Sequence, residues 1–180
     1  MRFWIFLVLM LSGSAGAQPP PNAVLLVAKP GMLDPTFRET VVLASQSEDS
    51  STVGVILNRP TPRKHEPTGE TLWLGGPVMQ QVIVALFRAA EPPTAPAFHV
   101  LKGIYLTMHL ETSSAGNSRR LYMGFSGWAP GQLETELARD SWFVLPASAE
   151  ILFRTDTTGM WEELVQKARG RVAFRQKTVY

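Results

Sequence analysis

The sequence predicts an α+β fold with a mainly antiparallel sheet and flanking helices. Short apolar and β-branched runs fill the first two thirds of the chain, and helical patterns are confined to the last third. Strands followed by helices favour α+β over the alternating order of a parallel α/β protein. The first three runs, at 23–28, 40–45 and 52–57, are joined by turn-sized segments, which is typical of an antiparallel meander.

Composition limits the classes of protein to which the chain can belong. It has 180 residues, of which 45% are hydrophobic, with a formal net charge of +2 and no cysteine. This length favours a single domain, and the apolar fraction excludes a largely disordered chain. Without cysteine there is no disulfide scaffold, thiolate metal site or thiol nucleophile. The small net charge gives no reason to expect nucleic acid as the partner.

The remaining elements follow from local patterns. Residues 130–140 predict a helix with proline in its first turn, and 158–168 carry an amphipathic helical stripe. Residues 60–71 hold three prolines and a glycine without hydrophobic periodicity, and we expect a loop there. Further strands are predicted at 82–87, 98–101, 104–108, 120–127 and 142–145, and a helical turn at 148–153.

The N-terminus has the three regions of a secretory signal peptide. Arg2 precedes a nine-residue apolar run at 3–11, and small residues follow at Ala15 and Ala17. The apolar run is about half of the ~20 residues that a membrane-spanning helix needs, so no transmembrane helix is expected in the mature form. We therefore predict a signal peptide at 1–17, a proline-rich spacer at 18–22 and one domain at 23–180. A periplasmic or secreted location follows, with a cytoplasmic location as the alternative.

Several stretches occur in the order found in the YqgE/AlgH family, and together they resemble it closely. They are Asp-Pro-Thr-Phe-Arg at 34–38, Thr-Val-Val-Leu at 40–43, Gly-Val-Ile-Leu-Asn-Arg-Pro at 54–60, Gly-Gly-Pro-Val at 75–78 and Gly-Phe-Ser-Gly-Trp-Ala-Pro-Gly-Gln-Leu-Glu-Thr-Glu-Leu at 124–137. The resemblance covers almost the whole predicted mature chain. It implies a bifurcated or barrel-like sheet with helices packed around it.

The resemblance implies no catalytic residues. The family comprises uncharacterised bacterial proteins, some labelled putative transcriptional regulators. Its members are usually cytoplasmic and typically place a helical segment between the Asn-Arg-Pro and Gly-Gly-Pro motifs, whereas this chain has a proline-rich segment at 61–71 and a predicted export signal. Export disfavours a regulator that binds DNA.

The polar motif residues have structural explanations as well as functional ones. Asp34 precedes a proline, as in an Asx turn or helix cap, and Asn58 precedes Arg59 and Pro60 at a strand end. If these residues share a ligand site, we expect it near Trp128 and Gln132. The candidate ligand or motif cluster comprises Asp34, Arg38, Asn58, Gly75, Gly76, Ser126, Trp128 and Gln132.

A hydrolase that uses the Ser126 region is one alternative function. Residues 124–128 are predicted at a strand-to-helix turn, the setting of a nucleophile elbow, but that motif requires glycine where Trp128 stands. A tight turn explains the glycines equally well. No catalytic residue is assigned. No cofactor or metal is expected either, because the three histidines stand at no metal-ligand spacing.

The final fourteen residues are basic and contain no acidic side chain. They could form a solvated tail or contact an anionic surface, such as lipid head groups or an acidic partner. We favour the tail, because Val172, Phe174 and Val179 alternate with the charges as in an edge strand. The five basic residues are Lys167, Arg169, Arg171, Arg175 and Lys177.

These observations favour an exported, non-enzymatic binding or interaction module of the cell envelope. Its partner, a protein or a small molecule, is not identified by the sequence. Nucleic acid is disfavoured if the chain is exported. A transcriptional regulator and a Ser126 hydrolase are the alternatives.

Overall fold

A computed structural model describes residues 22–47, 49–113 and 118–177, with side chains described as far as Arg171. The predicted signal peptide at 1–17 and spacer residues 18–21 lie outside these ranges. Asn22 is held against strand β2 (Val41–Gln46): its amide nitrogen donates to the Gln46 carbonyl at 2.9 Å. Its amide oxygen accepts from the Ser45 hydroxyl at 2.7 Å.

The described residues form ten strands, three α-helices and one 3-10 helical turn (Leu110–Thr112), and the α-helices follow most of the strands as predicted. The strands are β1 (Val24–Ala28), β2 (Val41–Gln46), β3 (Thr52–Ile56), β4 (Pro60–Lys64), β5 (Thr71–Leu74), β6 (Val78–Arg88), β7 (Phe98–Leu101), β8 (Ile104–Thr107), β9 (Arg119–Trp128) and β10 (Trp142–Pro146). The helices are α1 (Gln132–Ala138), α2 (Ala149–Leu152) and α3 (Met160–Lys177).

The strands form one open sheet in the order β10-β1-β2-β3-β9-β6-β8-β7. The predicted antiparallel meander of β1, β2 and β3 is confirmed. Within the described residues only β5 and β9 pair in parallel, so the sheet is mainly antiparallel as predicted. The sheet ends in different strands, β10 and β7, and so does not close into a barrel.

The sheet branches at β9. One edge of this ten-residue strand pairs with β6 between residues 119 and 125. The other edge is divided, because β5 pairs with residues 121–123 and β3 pairs with residues 126–128. This division produces the bifurcated sheet that the family resemblance implies.

The expectation of a loop over 60–71 is wrong. This segment contains β4 and the start of β5, which pair antiparallel with Pro60 opposite Trp73 and an irregular register before Lys64. Strand β4 is largely exposed and therefore lacks a hydrophobic period. Its strand conformation is fixed by pairing with β5, which in turn pairs with β9.

The expectation of an edge strand after residue 170 is also wrong. Helix α3 continues to Lys177, so Val172 and Phe174 are helical, while Val179 lies outside the described residues. The buried first part of α3 provides a formed helix, and each added residue then gains a hydrogen bond without a new nucleation cost. The side chains of Arg175 and Lys177 lie outside the described part of the chain.

Both faces of β1 are buried, which places it between two cores. Leu25 and Val27 face the larger core, which includes Leu164 and Val165 of α3. Leu26 and Ala28 face the smaller core, which includes Trp128, Leu133 and Trp142. The continuous apolar run at 24–28 is the expected sequence signature of a strand covered on both faces.

The larger core contains two buried polar side chains from β9. The Arg120 guanidinium lies 4.2 Å from the Trp73 ring centre and donates to the carbonyls of Leu57 and Arg154. The Tyr122 hydroxyl is fully buried and has no hydrogen-bond partner in the described residues. Burial raises the pKa of Tyr122 to about 12, an effect that the positive charge of Arg120 and the approach of its guanidinium to the hydroxyl oppose only in part.

We expect Tyr122→Phe to preserve or increase the free energy of unfolding at neutral pH, by up to about 1 kcal/mol. The reason is that the buried hydroxyl loses its hydration without gaining a well-aligned hydrogen bond. Urea unfolding tests this expectation, with Tyr122→Leu as a cavity-forming control that should lose stability.

The same variant should change the pH dependence of stability. The pKa of a tyrosine is ordinarily 10.0, whereas that of Tyr122 in the fold is about 12, so the unfolded chain releases this proton first as the pH rises. Wild-type stability should therefore fall between about pH 10 and 12 by an amount that Tyr122→Phe lacks. Parallel pH curves for the two proteins in this window would contradict the burial argument.

Candidate functional site

A cleft of about 580 Å³ lies between the loop after β1 and helix α1. Residues 29–34 form one wall, residues of the α1 region form the other, and Phe37, Trp128 and Trp142 lie at the floor. We call this feature the indole cleft, because two of the three aromatic residues at its floor are tryptophans. The predicted site residues Asp34, Trp128 and Gln132 all line it.

The floor is a packed cluster of three aromatic rings. Phe37 stacks on Trp128 with ring centres 5.9 Å apart and meets Trp142 edge-on at 5.6 Å. The two indoles meet edge-on at 6.3 Å. Each pair has a preferred aromatic geometry, so the cluster gains packing energy beyond the burial of area. Both tryptophans are almost fully buried, which makes the floor rigid.

The carboxylate of Glu136, a residue of α1, joins the two indoles. One of its oxygens accepts from the Trp128 indole N–H at 3.0 Å and from the Trp142 indole N–H at 2.9 Å. The other oxygen accepts from the Gln132 amide at 3.2 Å. Hydrogen bonds to a charged acceptor are stronger than neutral ones, so Glu136 fixes α1 against the ends of β9 and β10.

Gln132 and Asp34 shape the two walls. The Gln132 side-chain oxygen accepts from the Ala129 N–H at 3.2 Å, which holds the turn between β9 and α1. One Asp34 oxygen accepts from the N–H groups of Thr36 and Phe37 at 2.7 and 3.3 Å. This geometry confirms the predicted Asx turn, and it directs the Phe37 ring into the floor.

Arg38 and Asn58 lie outside the lining of the indole cleft. Asn58 accepts from the Val41 N–H at 2.9 Å and donates to the Glu39 carbonyl at 3.0 Å. The Arg38 carbonyl accepts from the Arg59 guanidinium at 2.7 Å. Both residues therefore connect the turn before β2 to the end of β3, a structural role that the sequence offered as one of two interpretations.

Gly75 and Gly76 are required by close backbone contact. A side chain at Gly75 would meet the Gly124 carbonyl oxygen at 2.1 Å, and one at Gly76 would meet the Phe125 backbone at 2.3 Å. The Gly75 N–H donates to Met123, and its carbonyl accepts from Ile56. The absence of side chains at these two glycines therefore allows the segment before β6 to pack between β3 and β9.

Ser126 lies inside β9 and not at the predicted strand-to-helix turn. The strand extends to Trp128 because β3 pairs with it as far as Thr52 opposite Trp128. The Ser126 side chain is fully buried, and its hydroxyl donates to the Gly75 carbonyl at 3.2 Å. The hydroxyl thus holds the glycine segment and does not face the indole cleft.

Several cleft residues were missed by sequence reasoning. Glu136 was not among the predicted site residues, yet its carboxylate accepts hydrogen bonds from two indoles. Lys29 pairs with Asp140, and its ammonium lies 4.6 Å from the Phe143 ring centre. Leu33 is 93% exposed at the rim. Lys29 and Asp140 are 111 positions apart in the sequence, so no local sequence pattern indicates that they pair.

Comparison with known proteins identifies the class to which this fold belongs. A family profile described as AlgH-like matches residues 25–173. A UPF0301 protein of Xanthomonas oryzae is 34% identical over 175 residues, which cover 86% of this chain and 90% of the relative. A UPF0301 protein of Mycobacterium tuberculosis is 30% identical over 169 residues, 84% of each chain.

Solved structures share the fold. The crystal structure of a Corynebacterium diphtheriae protein matches with a TM-score of 0.64 and 24% identity, over 83% of this chain and 87% of that one. The solution structure of AlgH from Pseudomonas aeruginosa matches with a TM-score of 0.60 and 23% identity, over 73% and 79%. This chain belongs to the AlgH-like family, as the sequence motifs predicted.

Potential metal ligands are scattered over the part of the chain that the structure describes. No group of three or more His, Cys, Asp or Glu side chains stands at metal-binding geometry among these residues. No helix within the same ranges has the length and apolar character needed to cross a membrane.

We expect Glu136→Ala to destabilise the fold by about 2–4 kcal/mol, because it leaves two buried indole N–H groups without an acceptor. Glu136→Gln keeps one side-chain oxygen and should lose less than half as much. Urea unfolding followed by tryptophan fluorescence measures both. Equal losses in the two variants would show that the indole hydrogen bonds do not carry the effect of Glu136.

Proposed function

We propose that the chain is an exported, non-enzymatic binding module of the cell envelope whose partner contacts the indole cleft. The observation that carries this proposal is the convergence of two distant family motifs, represented by Asp34 and by Trp128 with Gln132, on one cleft. The indoles and Glu136 hold this cleft in shape through hydrogen bonds and ring contacts within the chain. A preformed site of this kind loses little conformational entropy when a partner binds.

The rim of the cleft favours a protein partner. Leu33 exposes 93% of its surface beside the half-buried Met32, and both line the cleft. Arg139 lines the opposite wall and is exposed. Arginine is enriched among the residues that dominate binding energy, and apolar neighbours such as Leu33 and Met32 would exclude water from the contact around it.

The hydrogen bonding of the cleft argues for binding over catalysis. Its carboxylate Glu136 accepts three hydrogen bonds from the protein itself, and Asp34 is used by its own turn. Ser126, on which the hydrolase alternative depends, is buried and hydrogen-bonded to Gly75. The groups available to a ligand are therefore suited to recognition.

Site-specific photo-cross-linking tests the binding site. A photoreactive amino acid is placed at Leu33 in the full-length chain within the producing cells, and the matched control carries it at Met108, which is 41% exposed and outside the cleft. We expect one specific adduct from position 33 and none from position 108. Adding Gln132→Arg, which fills the cleft, should reduce that adduct by roughly fivefold, or about 1 kcal/mol. Adducts from both positions, or from neither, would contradict the proposal.

N-terminal sequencing of the protein from the same cells tests export. Cleavage after Ala17 gives a chain that begins at Gln18 in the envelope fraction. An intact N-terminus in the cytoplasm, together with salt-dependent DNA binding by the purified protein, would favour the regulator alternative.

A further inference from the structure

A second surface, at the end of the sheet, has the properties of a peptide-docking groove. A groove of about 940 Å³ runs between β10 and α3. We call it the β10 groove. It meets the indole cleft at Lys29 and Trp142, which line both features, but its walls are otherwise different. Strand β10 is the terminal strand of the described sheet.

The free edge of β10 presents backbone hydrogen-bonding groups. The Lys29 N–H donates to the Ser141 carbonyl at 3.0 Å, and the register places Val27 opposite Phe143. Hydrogen-bonded pairs alternate along an antiparallel ladder, so Phe143 bonds to β1 while the N–H and C=O groups of Trp142 and Val144 point away from it. No strand of the described residues pairs with this outer side.

Side chains add an apolar contact and positive charge to this edge. Val144 is 49% exposed, which is unusual for a branched apolar residue on an unprotected edge. Lys167 and Arg171, one helical turn apart on α3, line the opposite wall. The described residues that line the groove include no aspartate or glutamate. Lys29 is paired with Asp140, so Lys167 and Arg171 carry the charge offered to a partner.

We propose that the β10 groove binds an extended acidic segment of a partner protein, which adds a strand to the sheet beside β10. Backbone hydrogen bonds to Trp142 and Val144 would hold the segment, as in other strand-addition complexes. Carboxylates on its α3 side would pair with Lys167 and Arg171. The apolar face of Val144 would contact an alternate side chain of the added strand.

Other occupants fit the groove less well. The chain's own residues 18–22 contain three prolines, which lack the N–H groups needed for pairing, and no acid. Residues 172–180 add two further cations and no acid. A second copy paired through β10 would bring two basic grooves together, with like charges opposed. A lipid surface would not use the recessed backbone groups of β10.

Selection from a display library of random twelve-residue peptides on the immobilised mature protein tests the proposal. We expect the selected peptides to be acidic, with alternating apolar residues. Affinity for one selected peptide, measured by fluorescence anisotropy, should fall at least about tenfold in the double variant Lys167→Glu, Arg171→Glu. The control is Arg169→Glu, which reverses one charge, as each half of the double variant does, at an exposed position of the same helix outside the groove. It should change affinity less than about twofold, whereas Lys167→Glu or Arg171→Glu alone should each lower affinity at least about threefold.

A separate experiment tests the backbone hydrogen bonds between β10 and the peptide. Amide exchange measured by NMR should slow at Val144 on peptide binding and stay unchanged at Phe143, which already bonds to β1. A peptide methylated at alternate backbone nitrogens should lose binding. Selection of basic peptides or of none, equal binding of the methylated peptide, or equal effects of Arg169→Glu and the double variant would overturn the proposal.

Two further outcomes identify a different occupant and would also overturn it. Vesicles of anionic phospholipid that bind the protein more tightly than the selected peptide would indicate a membrane surface. A dimer in solution with Val144 protected before any peptide is added would indicate a second copy. Neither experiment depends on the indole cleft, since Lys167 and Arg171 do not line it.

Discussion

Strand β9 forms backbone hydrogen bonds with other strands along both of its edges, and the architecture of the sheet follows from this constraint. Strand β6 occupies one edge, while β5 and β3 divide the other. The backbone at Gly75 lies against β9 at the branch, where a Cβ would meet a carbonyl oxygen at 2.1 Å. Beyond the branch, β9 ends at Trp128, whose indole is thereby placed at the floor of the cleft. The glycine motif and the tryptophan motif thus belong to one arrangement.

Local patterns were sufficient for most of the fold. The buried run at 24–28, the β-branched run at 40–45 and the proline at the start of the α1 region each indicate an element that the structure contains. The hairpin of β4 and β5 was not predictable, because exposed β4 takes its conformation from its pairing partners. The continuation of α3 past Arg171 was missed for a related reason. A segment of alternating apolar residues resembles a strand, but it can join a helix that is already formed before it.

The candidate site was predictable only in part. Asp34, Trp128 and Gln132 were singled out and do share the cleft. Glu136 was not singled out, because the position of its carboxylate between two indoles depends on how β10 returns beside β1. Asn58 and Ser126 are explained by hydrogen bonds to backbone groups 17 and 51 positions away. Such contacts leave no periodicity in the sequence.

The two proposed binding surfaces adjoin at Lys29 and Trp142, and they differ in chemistry. The indole cleft has a rigid aromatic floor and an exposed leucine at its rim, whereas the β10 groove offers backbone groups and cations. Adjacent sites of different chemistry suit a binding module with two kinds of contact. The indole cleft would receive a partner's side chain, and the β10 groove would receive an extended segment of the same partner or of another. Linked contacts of this kind raise affinity without new interactions at either site.

Oxidative footprinting in intact cells tests whether the indole cleft is a contact surface. Oxidation of Met32 in the cleft lining is compared between intact cells and the purified protein, with Met79 and Met108 as exposed internal references. If a partner covers the cleft, Met32 is protected in cells while the two reference methionines oxidise at unchanged rates. Equal oxidation of Met32 in cells and in the purified protein would contradict it.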